Sequence, residues 1–149
     1  MSKIPRFAAY AATFEKCVAS DDWSLLEPFF TEDAVYDVPA DPPLGGRIEG
    51  RAAILAWFKG IFDRFDRRFE SRELALLEGP KETGDAVWIR GRATYRAKGV
   101  PGFVLELEET ASFDGDRIRL LEDRYEPAMQ RAVADYLEAY GGKLGIRFD

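Results

Sequence analysis

The stretch FVLELEETASFDGDRIRLLEDRY, residues 103–125, decides the fold. Phe103, Leu105, Leu107, Ala111 and Phe113 recur at even spacing among polar residues, the period of a strand with one buried face. Asp114-Gly115 then supplies a tight turn, and Ile118 to Tyr125 alternates again, so the stretch reads as a β-hairpin. Alternation places Glu109 on the apolar face of the first strand. On the second, Leu121, Asp123 and Tyr125 share a face, with Glu122, Arg124 and Glu126 opposite. Two carboxylates are therefore aimed at the interior. A carboxyl stripped of water has a raised pKa and can hold or move a proton near neutrality, which makes Asp123 and Glu109 the candidate catalytic residues. Two alternatives stay open for each: pairing with Arg90, Arg92 or Arg96, or a β-bulge that turns it to solvent.

Working outward, residues 69–78 and 86–97 also read as strands, before the strands 103–113 and 117–126. Turn signals separate them at Gly79-Pro80, Gly84-Asp85 and residues 99–102. Within 86–97, Val87, Ile89, Ala93 and Tyr95 share one face, and Trp88, Arg90, Arg92, Thr94 and Arg96 the other. The arginine face reads as a solvated or ion-paired outer surface, and Trp88 within it suggests a homodimer interface there.

The first third is helical instead. Phe7, Tyr10, Ala11, Phe14, Cys17 and Val18 recur at three and four, and a short helix follows with Trp23, Leu26, Phe29 and Phe30, limited by Pro28. A brief strand at 34–38, a Pro/Gly loop at 39–50 and a third helix carrying Ile54, Trp57, Phe58, Ile61, Phe62 and Phe65 come next. The cluster from Asp63 to Arg72 mixes signs and reads as a solvated helix end. After the strands, Met129, Val133, Tyr136, Leu137 and Tyr140 form a last helical stripe over 127–141, started by Pro127 and stopped by Gly141-Gly142. This helix either closes the end of the sheet or swaps across a dimer. Helices first and strands later give an α+β domain spanning 1–149: a curved antiparallel sheet with three N-terminal helices on its concave face and an extra C-terminal helix.

Composition narrows the chemistry. The chain has 149 residues, 46% of them apolar, enough for one core. With 21 basic and 27 acidic residues the net charge is −6, which argues against a nucleic-acid or anionic-membrane surface. There is no histidine, so Ser-His-Asp catalysis, imidazole bases and His-bearing zinc sites are excluded. The single Cys17 falls on the apolar stripe and reads as packing. No apolar run reaches membrane-spanning length, and a cytoplasmic protein is expected. Asp37, Asp41 and Glu49 lack metal-ligand spacing, so neither metal nor cofactor is expected.

Several segments resemble the SnoaL-like branch of the nuclear-transport-factor-2-like superfamily. They are Asp22-Trp23 with Leu26 and Phe29-Phe30, Glu32-Asp33-Ala34-Val35, Gly50-Arg51-Ala52-Ala53-Ile54, Trp57-Phe58, Phe113 to Ile118, and Glu122-Asp123-Arg124-Tyr125. The resemblance covers residues 5–127 and implies a cone-shaped α+β barrel around an apolar cavity. In it Tyr10, Phe14, Tyr36, Val38, Trp57, Tyr95 and Tyr125 are the expected ligand-binding residues. The family's named activities are each at most partly present. The ketosteroid-isomerase tyrosine and aspartate would fall at Phe14 and Val38, and scytalone dehydratase uses a histidine this chain lacks. A SnoaL-type cyclase could retain only Asp123. Limonene epoxide hydrolase's Arg-x-Asp pair stands here as Arg90-Gly91-Arg92. The expectation is a binder of a small apolar molecule. It is either a cofactor-free lyase, isomerase, cyclase or epoxide hydrolase using its carboxylates, or a non-catalytic ligand-binding or assembly module.

Overall fold

The computed structural model describes residues 1–148. Helix α1 (Ile4–Ser20) starts with Pro5 in its first turn and buries Phe7, Tyr10 and Cys17. It ends where Asp21 turns left-handed and donates its N–H to the Cys17 carbonyl. The expected second helix is a 3₁₀ segment, Trp23–Phe29, capped by Asp22, whose side chain accepts from the Ser24 N–H; Pro28 within it is incompatible with a longer α-helix. Strand β1 (Phe30–Val38) follows at once and is longer than the 34–38 reading. Its first residues, with Phe30 buried but Glu32 and Asp33 both exposed, carry no clean alternation.

The loop at 39–50 conceals β2 (Gly46–Glu49), which pairs antiparallel with β1. Helix α2 (Arg51–Arg64) buries Ile54, Leu55, Phe58 and Phe62, and a 3₁₀ turn at Asp66–Arg68 leads into the sheet. Strands β3 (Ser71–Thr83), β4 (Ala86–Arg96), β5 (Phe103–Asp114) and β6 (Arg117–Arg124) then run as an antiparallel meander.

The sheet order is β2-β1-β6-β5-β4-β3. One pairing departs from the antiparallel expectation: β1 lies parallel to β6. The sheet is thus mixed, and it is unclosed, with β2 and β3 as edges. A parallel pair needs a long crossover, and here nearly the whole domain separates the two strands, so local patterning carries no sign of it.

Two boundaries also move. Gly79-Pro80 is a bulge inside β3, with the register to β4 shifting between Leu76 and Lys81. Gly79 sits at φ +93°, and a Cβ there would come within 2.7 Å of the Trp88 carbonyl oxygen, so only glycine fits. Helix α3 (Pro127–Leu144) runs through Gly141-Gly142 and stops at Gly145, which takes the left-handed cap.

Two apolar clusters fill the concave side. One joins α1, α2 and β1 through Phe7, Tyr10, Phe30, Ile54 and Phe58. The other gathers Phe65, Phe69, Tyr95 and Phe103 against Val133 and Tyr136 of α3. Each fully buried large side chain, Phe30 and Phe113 among them, stabilises the fold by about 1.5–3 kcal/mol. α3 thus packs on its own sheet and closes that end. The outer face of the sheet is ion-paired, with Arg92 bonded to Glu106 at 2.8 Å and Trp88 Nε1 donating to Glu108 at 3.1 Å.

Candidate functional site

The helices and the curved sheet enclose a cavity of about 650 Å³. That lies within the usual range for small-molecule sites. Its walls are mostly apolar, with Phe14, Trp57, Phe58, Ile61 and Leu107 among them. Glu109 and Asp123 stand directly opposite one another on β5 and β6 and line the same wall. No bulge interrupts the β4–β5 ladder from Phe103 to Ser112, so the alternation that aims Glu109 inward holds.

Asp123 is only 7% exposed. Its Oδ2 accepts a 2.5 Å hydrogen bond from the Tyr36 hydroxyl, which reaches across from β1. Its Oδ1 is buried and accepts nothing from an N–H or a hydroxyl. Two ionised carboxylates cannot bond to each other, but a protonated Glu109 can donate to Asp123, and the two are placed for that bond. Burial, the Asp123 charge and that bond raise Glu109 well above the usual carboxylate range. Burial also raises Asp123, while the bonds from Glu109 and Tyr36 pull it back down. Of the two, Glu109 is the one whose environment favours the protonated form more, since every influence on it acts upward. Neither carboxyl has an ion-pair partner among the described residues.

Tyrosines surround the pair. Burial, then the charges of Glu109 and Asp123, raise Tyr10. Burial and Asp123 raise Tyr125. Both stay protonated, as neutral donors, at neutral pH.

A second polar group lies elsewhere on the cavity wall. Asp66 Oδ2 accepts from the Tyr95 hydroxyl at 2.7 Å and lies 3.3 Å from Arg72 Nε. Arg72 also donates to Glu15 of α1 at 2.8 Å and stands over the Phe62 ring at 5.0 Å. Burial pushes Asp66 up to about 6, against the pull of the Tyr95 bond and the Arg72 charge.

Of the residues expected from sequence, Tyr10, Phe14, Tyr36, Trp57, Tyr95, Tyr125, Glu109 and Asp123 all line this cavity. Val38 does not; it is packed in the core at 4% exposure. Asp66 and Arg72 correct the solvated reading of the charged cluster, since their side chains are only 10% and 17% exposed. A signal for Arg72 was present, because Arg72, Leu74 and Leu76 share one strand face. Cys17 is buried as packing. Among the described residues no group of His, Cys, Asp and Glu is placed to hold a metal ion, and no helix is long and apolar enough to cross a membrane.

A family model described as the SnoaL-like domain matches residues 10–123. The chain belongs to the SnoaL-like family. No curated protein matches it significantly in sequence. Solved structures similar to this SnoaL-like chain include a nuclear-transport-factor-2-like protein from Burkholderia pseudomallei, with TM-score 0.70 and 16% identity over 91% of this chain and 98% of that one. A putative isomerase from Bacillus subtilis has TM-score 0.68 and 19% identity over 95% and 97%. An LEH-like epoxide hydrolase from M. tuberculosis has TM-score 0.62 and 15% identity over 91% and 94%. At these identities the likeness shows the cone-like fold they share with this chain, and the chemistry rests on its own residues.

Proposed function

We propose that the protein is a cofactor-free acid–base enzyme acting on a small, largely apolar molecule with a reactive oxygen function. The observation that carries this reading is a pair of buried carboxyls, directly opposite one another and without a cation among the described residues, in the wall of an open apolar cavity. Burying such a pair costs free energy, and a structural role alone would be served as well by an apolar pair. Glu109 donates its proton to the substrate oxygen, and Asp123 removes a proton from carbon or from a water molecule. The two steps are linked. Once the proton leaves Glu109, Asp123 loses the bond that held its pKa down and becomes the stronger base. Tyr36 keeps the Asp123 carboxylate oriented, and Tyr10 and Tyr125, protonated hydroxyls lining the same cavity, donate to the developing negative charge. This chemistry suits isomerisation, dehydration, cyclisation and epoxide opening alike.

The test is a carboxyl-carbon NMR titration of the folded protein, with Glu109→Gln and Asp123→Asn as assignment controls. Glu109 is expected to titrate well above the ordinary carboxylate range. If both groups titrate at or below ordinary values, the pair is structural, and a non-catalytic ligand-binding module becomes the better account.

A further inference from the structure

Leu74 and Leu76 are 53% and 58% exposed although they lie on the concave face of β3. They pair with Ala93 and Gly91 of β4, whose partners on β5 are Leu105 and Leu107. The rows therefore run from exposed leucines at the edge straight into the cavity. On α1, Ala8, Ala11 and Ala12 are likewise exposed and line the same cavity. The helix and the edge strand are tied at both ends. Ser2 Oγ and the Lys3 N–H donate to Glu82 at 2.6 and 3.0 Å, and Arg72 donates to Glu15 at 2.8 Å. Between the ties a slot remains, with alanines on one lip and leucines on the other.

Gly91 connects that slot to the carboxyl pair. It occupies the concave-face position next to Ile89, the β4 partner of Glu109. A Cβ at Gly91 would meet only ordinary contacts, the Ala75 carbonyl oxygen at 3.7 Å and Ile89 Cδ1 at 3.8 Å, so a side chain could be accommodated there and glycine leaves that stretch of wall without one. From Glu109 to the slot is two strand spacings, about 10 Å.

We infer that the substrate carries a hydrocarbon tail that crosses Gly91 and lies in the slot against Leu74 and Leu76, with its oxygen function at Glu109 and Asp123. This names the substrate class for the acid–base reading and rests on that reading for the position of the oxygen. A tail is the occupant because the slot is continuous with the cavity and its facing side chains between the ties are alanine and leucine. Covering the two leucines removes from water apolar surface that the fold itself leaves wet.

The experiment is displacement of a fluorescent apolar dye by primary alcohols from butanol to dodecanol. Affinity should rise about fourfold per methylene across the whole series, the worth of one buried methylene. The double variant Leu74→Ser, Leu76→Ser changes only exposed positions; it should weaken dodecanol at least tenfold and leave butanol unchanged. Gly91→Val should do the same by narrowing the passage. The inference is overturned if the gain stops at hexanol, or if the double variant binds dodecanol like the parent. It is also overturned if sedimentation shows a dimer that the double variant dissolves, since a second copy would then cover the leucines. A persistent chain-length gain with an ordinary Glu109 titration would sink the acid–base reading and leave the tail slot standing.

Discussion

The cavity holds two buried carboxylate–tyrosine units that differ in one component. Asp66 accepts from Tyr95 and has Arg72 at 3.3 Å. Asp123 accepts from Tyr36 and has a second carboxyl, Glu109, where the other unit has its cation. Burial lifts both units, but Tyr95 and Arg72 pull Asp66 back to about 6, while for Glu109 the Asp123 charge adds to burial and raises it well above the usual carboxylate range. The first arrangement ties elements together, with Arg72 linking α1 to β3 through Glu15. In the second, a carboxyl stands where the first has its cation. Similar residues in the same cavity thus separate into a cation-balanced tie and the uncompensated pair to which the acid–base proposal assigns the chemistry, according to whether a guanidinium is present.

The largest expected effect would break the comparison outright. Asp123→Asn should lower turnover of any converted substrate by about 10²–10⁴, the usual worth of a general base, while Asp66→Asn leaves it near wild type. Comparable losses in steady-state assays would mean that both units touch the reaction.

Stability should show the opposite ranking. Arg72→Met leaves Asp66 buried without its cation and should cost about 3–4 kcal/mol in urea unfolding at neutral pH. Glu109→Gln exchanges a protonated acid for a neutral amide and should stay within about 1 kcal/mol of wild type. Equal losses would erase the distinction.

The pH dependence sharpens it further. The folded-state value of Asp66, about 6, lies above the ordinary aspartate value of 3.8, so the folded protein binds that proton more tightly than the unfolded chain. Its stabilising contribution is complete below the lower value and is lost as pH rises through the upper one, about 3 kcal/mol over the window. Asp66→Asn should remove that share of the fall in a pH series of unfolding curves. Glu109 contributes with the same sign, because burial and the Asp123 charge raise it too.

The smallest effect concerns Tyr36. Tyr36→Phe removes one bond to a charged acceptor and should cost about 1.5 kcal/mol. The Asp123 resonance should then titrate higher than in the parent; an unchanged titration would show that Tyr36 does not hold the carboxylate.

The carboxyl pair was legible in the sequence because β4 and β5 form an uninterrupted ladder over the relevant residues, so a period of two carries Glu109 to the cavity and Asp123 opposite it. The meander and the closing helix were legible for the same reason, since their signals are local. β2 was not, because four residues inside a proline-rich loop have too little pattern to announce a strand. The β1–β6 pairing is a long-range event with no local code. Asp66 and Arg72 were obscured by their neighbours: Asp63, Arg64, Arg67 and Arg68 make the region read as solvated, and only tertiary packing buries those two.

The bulge at Gly79 has a consequence for how the molecule coexists with its own copies. β3 is an edge strand of thirteen residues, long enough to template another chain through its free N–H and C=O groups. Pro80 carries no N–H, the bulge interrupts the ladder, and Glu78, Lys81 and Glu82 add charge around it. A continuous template is thereby confined to the segment before the bulge, where the exposed leucines stand. The bulge thus shortens the stretch that a second copy could pair with, while the apolar rim itself stays on the part that remains regular.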